Sequence, residues 1–386
     1  MTKTVLRGLT WGHRRATGPL IPLTAAFQQR YPDIEVEWIV RPLSDFEHQG
    51  LPGLASVYDL IIYDHPFSGS IVETGAFEPL SGHPELQVAL ADGHRYLGQS
   101  LLSYRFGGTV WGLPIDAATQ HSAYRADLLA KHEEAVPVSW HDAIALGQRL
   151  RRNGLSLGLA VKTPHAILTI AALMANLSSP WETSPDGIFS VDGPGFQEAY
   201  GQVRALLAFC PEDALAWNAI DLHEAMVQTD AIAYCPCVYG YGTYGEADQR
   251  RPLSFGDFAG LAAPYHAGSV LGGTGLAISR VSANKDAALS FVAFASSEEG
   301  QRLMTDRHGQ PGLAAAWYDA QIDRRFNGFF SGGRRSVETA WMRPRHRGYI
   351  DFQARAGEVV AHSLRAGDSA ANVWSKIEPL LAMVNT

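Results

Sequence analysis

The chain has 386 residues, 46% of them hydrophobic, 10% aromatic and only 18% charged. That apolar content is enough to offset chain entropy, so disorder is excluded, and at roughly 150 residues per domain the length predicts two domains. The formal charge of −8, with no basic block, argues against nucleic acid as a partner, and no run of about 18 apolar residues is present to span a membrane.

The predicted elements alternate strand and helix. Residues 5–10 read as a strand, followed by Gly18-Pro19 as a break and a helical stretch through Leu23, Phe27 and Arg30. Residues 34–40 alternate as a half-buried strand, and residues 59–63 form a continuous apolar run ending in Asp64-His65-Pro66. Ser139 caps a helix that runs to Arg152, with Gly154 as its stop. Residues 157–161, 231–234 and 260–263 are short apolar strands, residues 195–209 an amphipathic helix, and residues 284–295 a helix with Ala288, Phe291 and Ala295 on one face. Residues 351–364 and 369–384 close the chain as a helical pair broken at Gly367. This alternation predicts an α/β fold whose ligand lies beyond the carboxyl ends of the strands. Trp11 to His13 and Asp64 to Phe67 then sit side by side at one sheet edge.

Cys210, Cys235 and Cys237 are too few for a disulfide scaffold or a four-cysteine zinc site and read as small buried hydrophobes. A pairing of Cys210 with either of the others stays open in an oxidising compartment. Residues 2–10 carry a charge every few positions and lack the apolar core of a signal peptide. Two expectations follow: a mature form with an added Met, placed in the periplasm or cell envelope, or a protein that stays in the cytoplasm.

An ordered set of local patterns resembles family 1 extracellular solute-binding proteins, the carbohydrate-type receptors of bacterial ABC importers. The first is Tyr58-Asp59-Leu60-Ile61-Ile62-Tyr63-Asp64 with Gly75-Ala76-Phe77-Glu78-Pro79-Leu80. The second is Trp111-Gly112-Leu113-Pro114-Ile115-Asp116, then Tyr124-Arg125-Ala126-Asp127-Leu128, then Pro137-Val138-Ser139-Trp140. The third is Gly272-Gly273-Thr274-Gly275-Leu276-Ala277-Ile278-Ser279 with Asn284-Lys285-Asp286-Ala287-Ala288, and Gly348-Tyr349 closes the set. The resemblance implies a two-lobe, periplasmic-binding-protein-like fold (type II) with a ligand held between lobes, which hinge at crossings near residues 113–117, 263–267 and 311–315. It places residues 1–115 plus 267–312 in an N-terminal lobe and 116–266 plus 313–386 in a C-terminal lobe. It implies a non-enzymatic monomer that delivers a carbohydrate, polyol or sugar acid to ABC permease subunits, with no cofactor. Where sugar receptors more often carry Asn, Asp, Trp or Tyr, this chain has His13 and Asp64-His65 at its strand ends.

The candidate ligand residues combine polar groups with aromatic faces that cover a ring. Trp11, Tyr239 and Tyr241 are read as stacking residues. His13, Asp64, His65, Asp116 and Thr274 are read as hydrogen-bonding ones. In the resembled family the loop at Gly273 and Thr274 brings backbone amides and a hydroxyl to the ligand; its plainer reading is a tight entry to the strand at Leu276. Tyr239, Tyr241 and Tyr244 lie in a Gly-Tyr-Gly-rich stretch that formally matches Gly-x-Gly-x-x-Gly, but a polar loop ending in Pro252 follows instead of a helix, so the nucleotide reading fails. A flexible loop offering its tyrosines to a ligand, or packed surface tyrosines, are the two remaining readings. Arg343, in the only cationic cluster, suits a carboxylate clamp. His13, His65, Asp64 and Asp116 are also a metal-compatible donor set, although no His-x3-His spacing supports it. The rival function is therefore a cytoplasmic enzyme on the same fold, using the His/Asp cluster for acid–base or metal-assisted chemistry.

Overall fold

The computed structural model describes residues 3–42, 51–184, 186–261 and 269–385. The principal strands in chain order are β1 (Thr4–Trp11), β2 (Ile34–Arg41), β3 (Leu60–Tyr63), β4 (Leu113–Tyr124), β5 (Ser156–Leu157), β6 (Ile232–Tyr239), β7 (Ser254–Gly256) and β8 (Leu271–Ile278). The chain divides into two compact units. Unit 1 comprises Met1–Ala118, Gly272–Ile322 and Arg345–Arg347; unit 2 comprises Thr119–Leu271, Asp323–Pro344 and Gly348–Thr386. The crossing expected at residues 263–267 lies outside the described residues.

In unit 1 the strand order is β2–β1–β3–β8–β4. β1 pairs with both β2 and β3 in parallel, with Leu9 opposite Ile39 on one side and Ile61 on the other. β8 runs antiparallel to β3, with Gly275 opposite Tyr63. All four residues of β3 are buried, as expected of a strand covered on both faces. The helix Arg14–Arg30 covers one face and seats Leu20, Leu23 and Phe27 in the core, where Phe27 meets Phe291 edge-on at 4.9 Å. This helix corrects the reading of Gly18-Pro19 as a break, because Pro19 and Pro22 both lie inside it. Each proline removes a helical hydrogen bond, and burial of the face holding Ala16, Pro19, Leu20, Leu23 and Phe27 outweighs that cost.

In unit 2 residues 119–124 of β4 pair antiparallel with β6 and with β7, and β6 pairs in parallel with β5. The helices Trp140–Arg151, His165–Asn176, Gly193–Leu207 and Tyr349–Ala366 close a core built on Leu146, Leu150, Ile170, Leu173, Phe196, Val203, Phe352 and Val360. Ser139 caps the first of these by accepting the Asp142 N–H, as its sequence signature predicts. Gly367, at φ +72°, ends the last. Buried Arg125 ties the end of the helix Ala219–Gln228 to its surroundings. It donates to the carbonyls of Met226 and Thr229 and pairs with Asp127 and Asp230.

Two strand predictions are corrected. Residues 157–161 form a strand only at Ser156–Leu157, after which the chain bonds instead to Trp217 through the N–H groups of Val161 and Lys162. Gly260 and Leu261 are not in a strand, and residues 262–263 lie outside the described residues. All three cysteines are free thiols; Cys235 and Cys237 are buried as small core residues, with burial pushing the Cys235 pKa up to about 12, and Cys210 is partly buried against the core. Among the described residues no helix is long and apolar enough to cross a membrane.

Candidate functional site

The strand register of unit 1 gathers most of the candidate residues at one edge. Extending the pairing of Leu9 with Ile61 brings the end of β1, at Trp11, beside Tyr63 and Asp64 at the end of β3. The two strand ends are therefore neighbours, as the alternation of elements predicts. Because β8 runs the other way, it contributes its beginning, Gly273 and Thr274, to the same edge. Gly273 adopts φ +96°, and a Cβ there would stand 2.3 Å from the backbone oxygen of Asp116. Only glycine allows this approach. The Gly-Gly-Thr-Gly run is thus not a loop before the strand but lies within β8 itself, from its second residue to its fifth.

The side chains at this edge are held by specific partners. His13 is the N-cap of the helix Arg14–Arg30, and its Nδ1 accepts the Arg15 N–H at 3.0 Å. Asp116 is gripped from two directions by Arg15: Nε donates to Oδ1 at 2.9 Å and Nη2 to Oδ2 at 2.6 Å. Both side chains are nearly closed off from solvent, at 5% and 9% exposure. Burial raises the pKa of the Asp116 carboxyl and the Arg15 guanidinium opposes that rise, while the charge of Asp64 adds to it. Asp64 Oδ1 lies 3.1 Å from Nδ1 of fully buried His65. The Thr274 hydroxyl is buried and has no hydrogen-bond partner among the described residues. Tyr104 closes the floor, its hydroxyl 3.3 Å from the carbonyls of both Tyr63 and Gly273. Trp11 is 4% exposed and lies mostly within the fold.

Unit 2 carries the other three candidates. Tyr239 ends β6 opposite Gln120, half-buried, with the ring of His165 at 6.3 Å. The Gly-Tyr-Gly-rich stretch is packed, which corrects the flexible-loop reading. Its residues Gly242–Tyr244 form a 3-10 turn, Tyr244 stacks on His223 at 4.9 Å with ring planes 5° apart, and its hydroxyl donates to Glu224. Tyr241 packs 5.8 Å from the same His223 ring. Large aromatic rings beside a buried histidine recover more stabilisation packed than exposed. Arg343 is buried and donates to Gln353 Oε1 at 3.3 Å.

Sequence reasoning missed Arg15, because nothing local signals a partner 101 residues away. It also missed His165. That ring is buried, accepts the Ala219 N–H at Nε2 over 3.4 Å, and has its pKa lowered to about 4 by burial, with the charge of Lys162 adding to the effect. Partly buried Trp341, bridged in parallel to Val270, is a third residue that it passed over. Among the described residues no group of three or more His, Cys, Asp or Glu is placed to hold a metal ion.

The family model described as "Bacterial extracellular solute-binding protein" matches residues 15–302. The chain also superposes on solved structures at low sequence identity. Maltose-bound MalE3 of T. maritima is 18% identical, with a TM-score of 0.81 and coverage of 98% of this chain and 99% of that one. The GacH receptor of Streptomyces glaucescens, studied with acarbose, is 18% identical, with a TM-score of 0.81 and 99% coverage of both chains. A solute-binding protein of Agrobacterium radiobacter in complex with ribitol is 17% identical, with a TM-score of 0.78 and coverage of 100% and 99%. These likenesses establish the α/β fold of maltose-binding-protein type. No curated protein sequence matches the chain.

Proposed function

This chain belongs to the bacterial extracellular solute-binding protein family, and from that premise we propose that its solute is a carbohydrate, a polyol or a sugar acid, delivered to an ABC permease. The observation that carries the reading is the edge of unit 1, where a buried hydroxyl without a partner (Thr274) lies in the strand beside Asp116 and close to Asp64 and His65. Hydroxyl-rich solutes need such convergent donors and acceptors, and Trp11, although only 4% exposed, ends the neighbouring strand as the proposed stacking residue. The similar structures were solved with maltose, acarbose or ribitol, which fits the same class. Tyr239, Tyr241 and Arg343 of unit 2 are proposed as further solute contacts, with Arg343 the group that would favour a sugar acid.

Solute binding is favoured over the enzymatic alternative because the family model that matches residues 15–302 is of a solute-binding type. We place the mature protein in the periplasm or cell envelope, as a monomer without a nucleic-acid partner.

Titration calorimetry against maltose, ribitol, mannitol, tagatose and a sugar acid tests this reading. At least one should bind, and Thr274→Val should weaken it by about three- to tenfold, the worth of one hydrogen bond. A folded protein that binds none of them overturns the proposal.

A further inference from the structure

Residues Arg345, His346 and Arg347 belong to unit 1, although Pro344 before them and Gly348 after them belong to unit 2. This three-residue clip is anchored firmly for its size. One nitrogen of Arg345, Nη1, donates to the backbone oxygens of Leu102, Ser103 and Arg105 at 2.9, 3.3 and 2.5 Å. Leu102 and Ser103 end the short helix Ser100–Ser103, and Arg105 follows it, so this one nitrogen holds the helix end and the chain leaving it. The Arg345 guanidinium also stands 5.4 Å from the centroid of the Phe106 ring. Arg347 pairs with Glu73 at 2.7 Å. The clip backbone lies so close to Gly69 that a Cβ there would stand 2.3 Å from the Arg345 oxygen and 2.8 Å from the Arg347 nitrogen.

Gly69 and Glu73 are in the helix Ser68–Thr74, which follows directly on Asp64 and His65. Between them the chain is rigid. His65–Phe67 is a 3-10 turn carrying Pro66, and the Ser68 hydroxyl donates to the His65 oxygen at 2.7 Å. A displacement of the first turn of that helix therefore moves the Asp64–His65 pair with it.

We propose that the clip Arg345–Arg347 positions Asp64 and His65 for solute, with Arg345 as the principal positioning residue. Its role in binding rests on the reading of Asp64 and His65 as solute contacts. Its mechanical part does not.

The test compares Arg345→Ala, Arg345→Lys and Gly69→Ala with the parent protein by amide hydrogen exchange and by calorimetry with maltose, ribitol, mannitol, tagatose and a sugar acid. Arg345→Ala should speed exchange at Asp64, His65, Phe67 and Gly69 by about tenfold or more while leaving amides of β1 and β2 unchanged. It should weaken whichever probe the parent binds by a similar factor, at an unchanged urea midpoint for unit 2. Arg345→Lys, which can still donate to the three carbonyls, should restore most of both effects, and Gly69→Ala should reproduce the alanine phenotype. Faster exchange confined to residues 345–347, with residues 64–69 unaffected, overturns the proposal; so does probe affinity unchanged in Arg345→Ala despite faster exchange at 64–69. If the parent binds none of the probes, the solute reading fails by itself, and the exchange pattern still decides whether the clip positions the pair.

Discussion

The Arg15–Asp116 pair is a measurable test of how unit 1 is held together. Removing one partner leaves a charge that is almost wholly out of water, since the side chains are 5% and 9% exposed. An uncompensated buried charge costs about 3–5 kcal/mol, whereas replacing both partners by apolar groups of similar volume is close to neutral. Arg15→Met and Asp116→Leu should therefore each destabilise the protein by about 3–5 kcal/mol, and the double variant should recover most of the loss. The coupling free energy expected from the cycle is then about 3 kcal/mol or more, far above the few tenths found between independent sites. Urea unfolding at neutral pH, followed by tryptophan fluorescence, gives the four midpoints and slopes. Because the pair is buried, its coupling should change little with added salt, unlike that of an exposed pair. Additive single losses, or a coupling that vanishes in high salt, would refute the argument that this pair is dry. The double variant also separates two roles of Asp116: recovered stability with lost solute binding identifies a contact with the solute as well as with Arg15.

Two further outcomes follow from particular residues. For His165 the folded pKa is about 4 against an ordinary 6.5, so between those values the unfolded chain carries a proton that the folded chain refuses. Stability should be at full value above about pH 6.5 and fall on acidification towards pH 4 by roughly 3 kcal/mol, at 1.36 kcal/mol per pH unit. A urea series over that range should show this fall, and His165→Gln, whose amide oxygen can still accept from Ala219, should flatten it. Gly273→Ala meets both a positive φ and the Asp116 carbonyl at 2.3 Å, and should lower stability by about 2 kcal/mol or more in thermal or urea unfolding. A loss below about 0.5 kcal/mol would mean that β8 moves away from β4 without penalty.

Much of the fold was legible because its signals are local. The apolar run ending at Tyr63, the Ser139 cap and the glycine stop at 367 each depend on a few adjacent residues, and each is found in place. The neighbouring ends of β1 and β3 were legible as well, since alternation of strand and helix predicts parallel strands whose ends share an edge. What failed depends on distant parts of the chain. A glycine pair before Leu276 reads as a loop until the carbonyl of Asp116 is placed against it. Gly18-Pro19 reads as a break until the burial of the helix face around it is counted. Nothing beside Arg15 announces the carboxylate from far along the chain that meets it, and the tyrosine stretch leaves two readings open until Tyr244 is seen stacked on His223. The candidate site is hardest to read for this reason. Its members in unit 1 lie on or just beyond four strands, β1, β3, β4 and β8, and register, not spacing, brings those together.

The position of β8 between β3 and β4 has a consequence for how the chain is made. Ser282, just beyond β8, donates to Asp59, just before β3, across 223 residues of sequence. During synthesis the first three strands of unit 1 emerge long before the strand that completes their sheet. At roughly 5–20 residues per second the wait lasts on the order of 10–45 s. Throughout it one side of β3, a strand of four buried residues, has no neighbour. Much of unit 2 is made in that interval and can begin to fold before unit 1 closes. A nascent chain stalled before residue 271 should therefore present an apolar, unpaired strand edge, the kind of surface that holding chaperones protect.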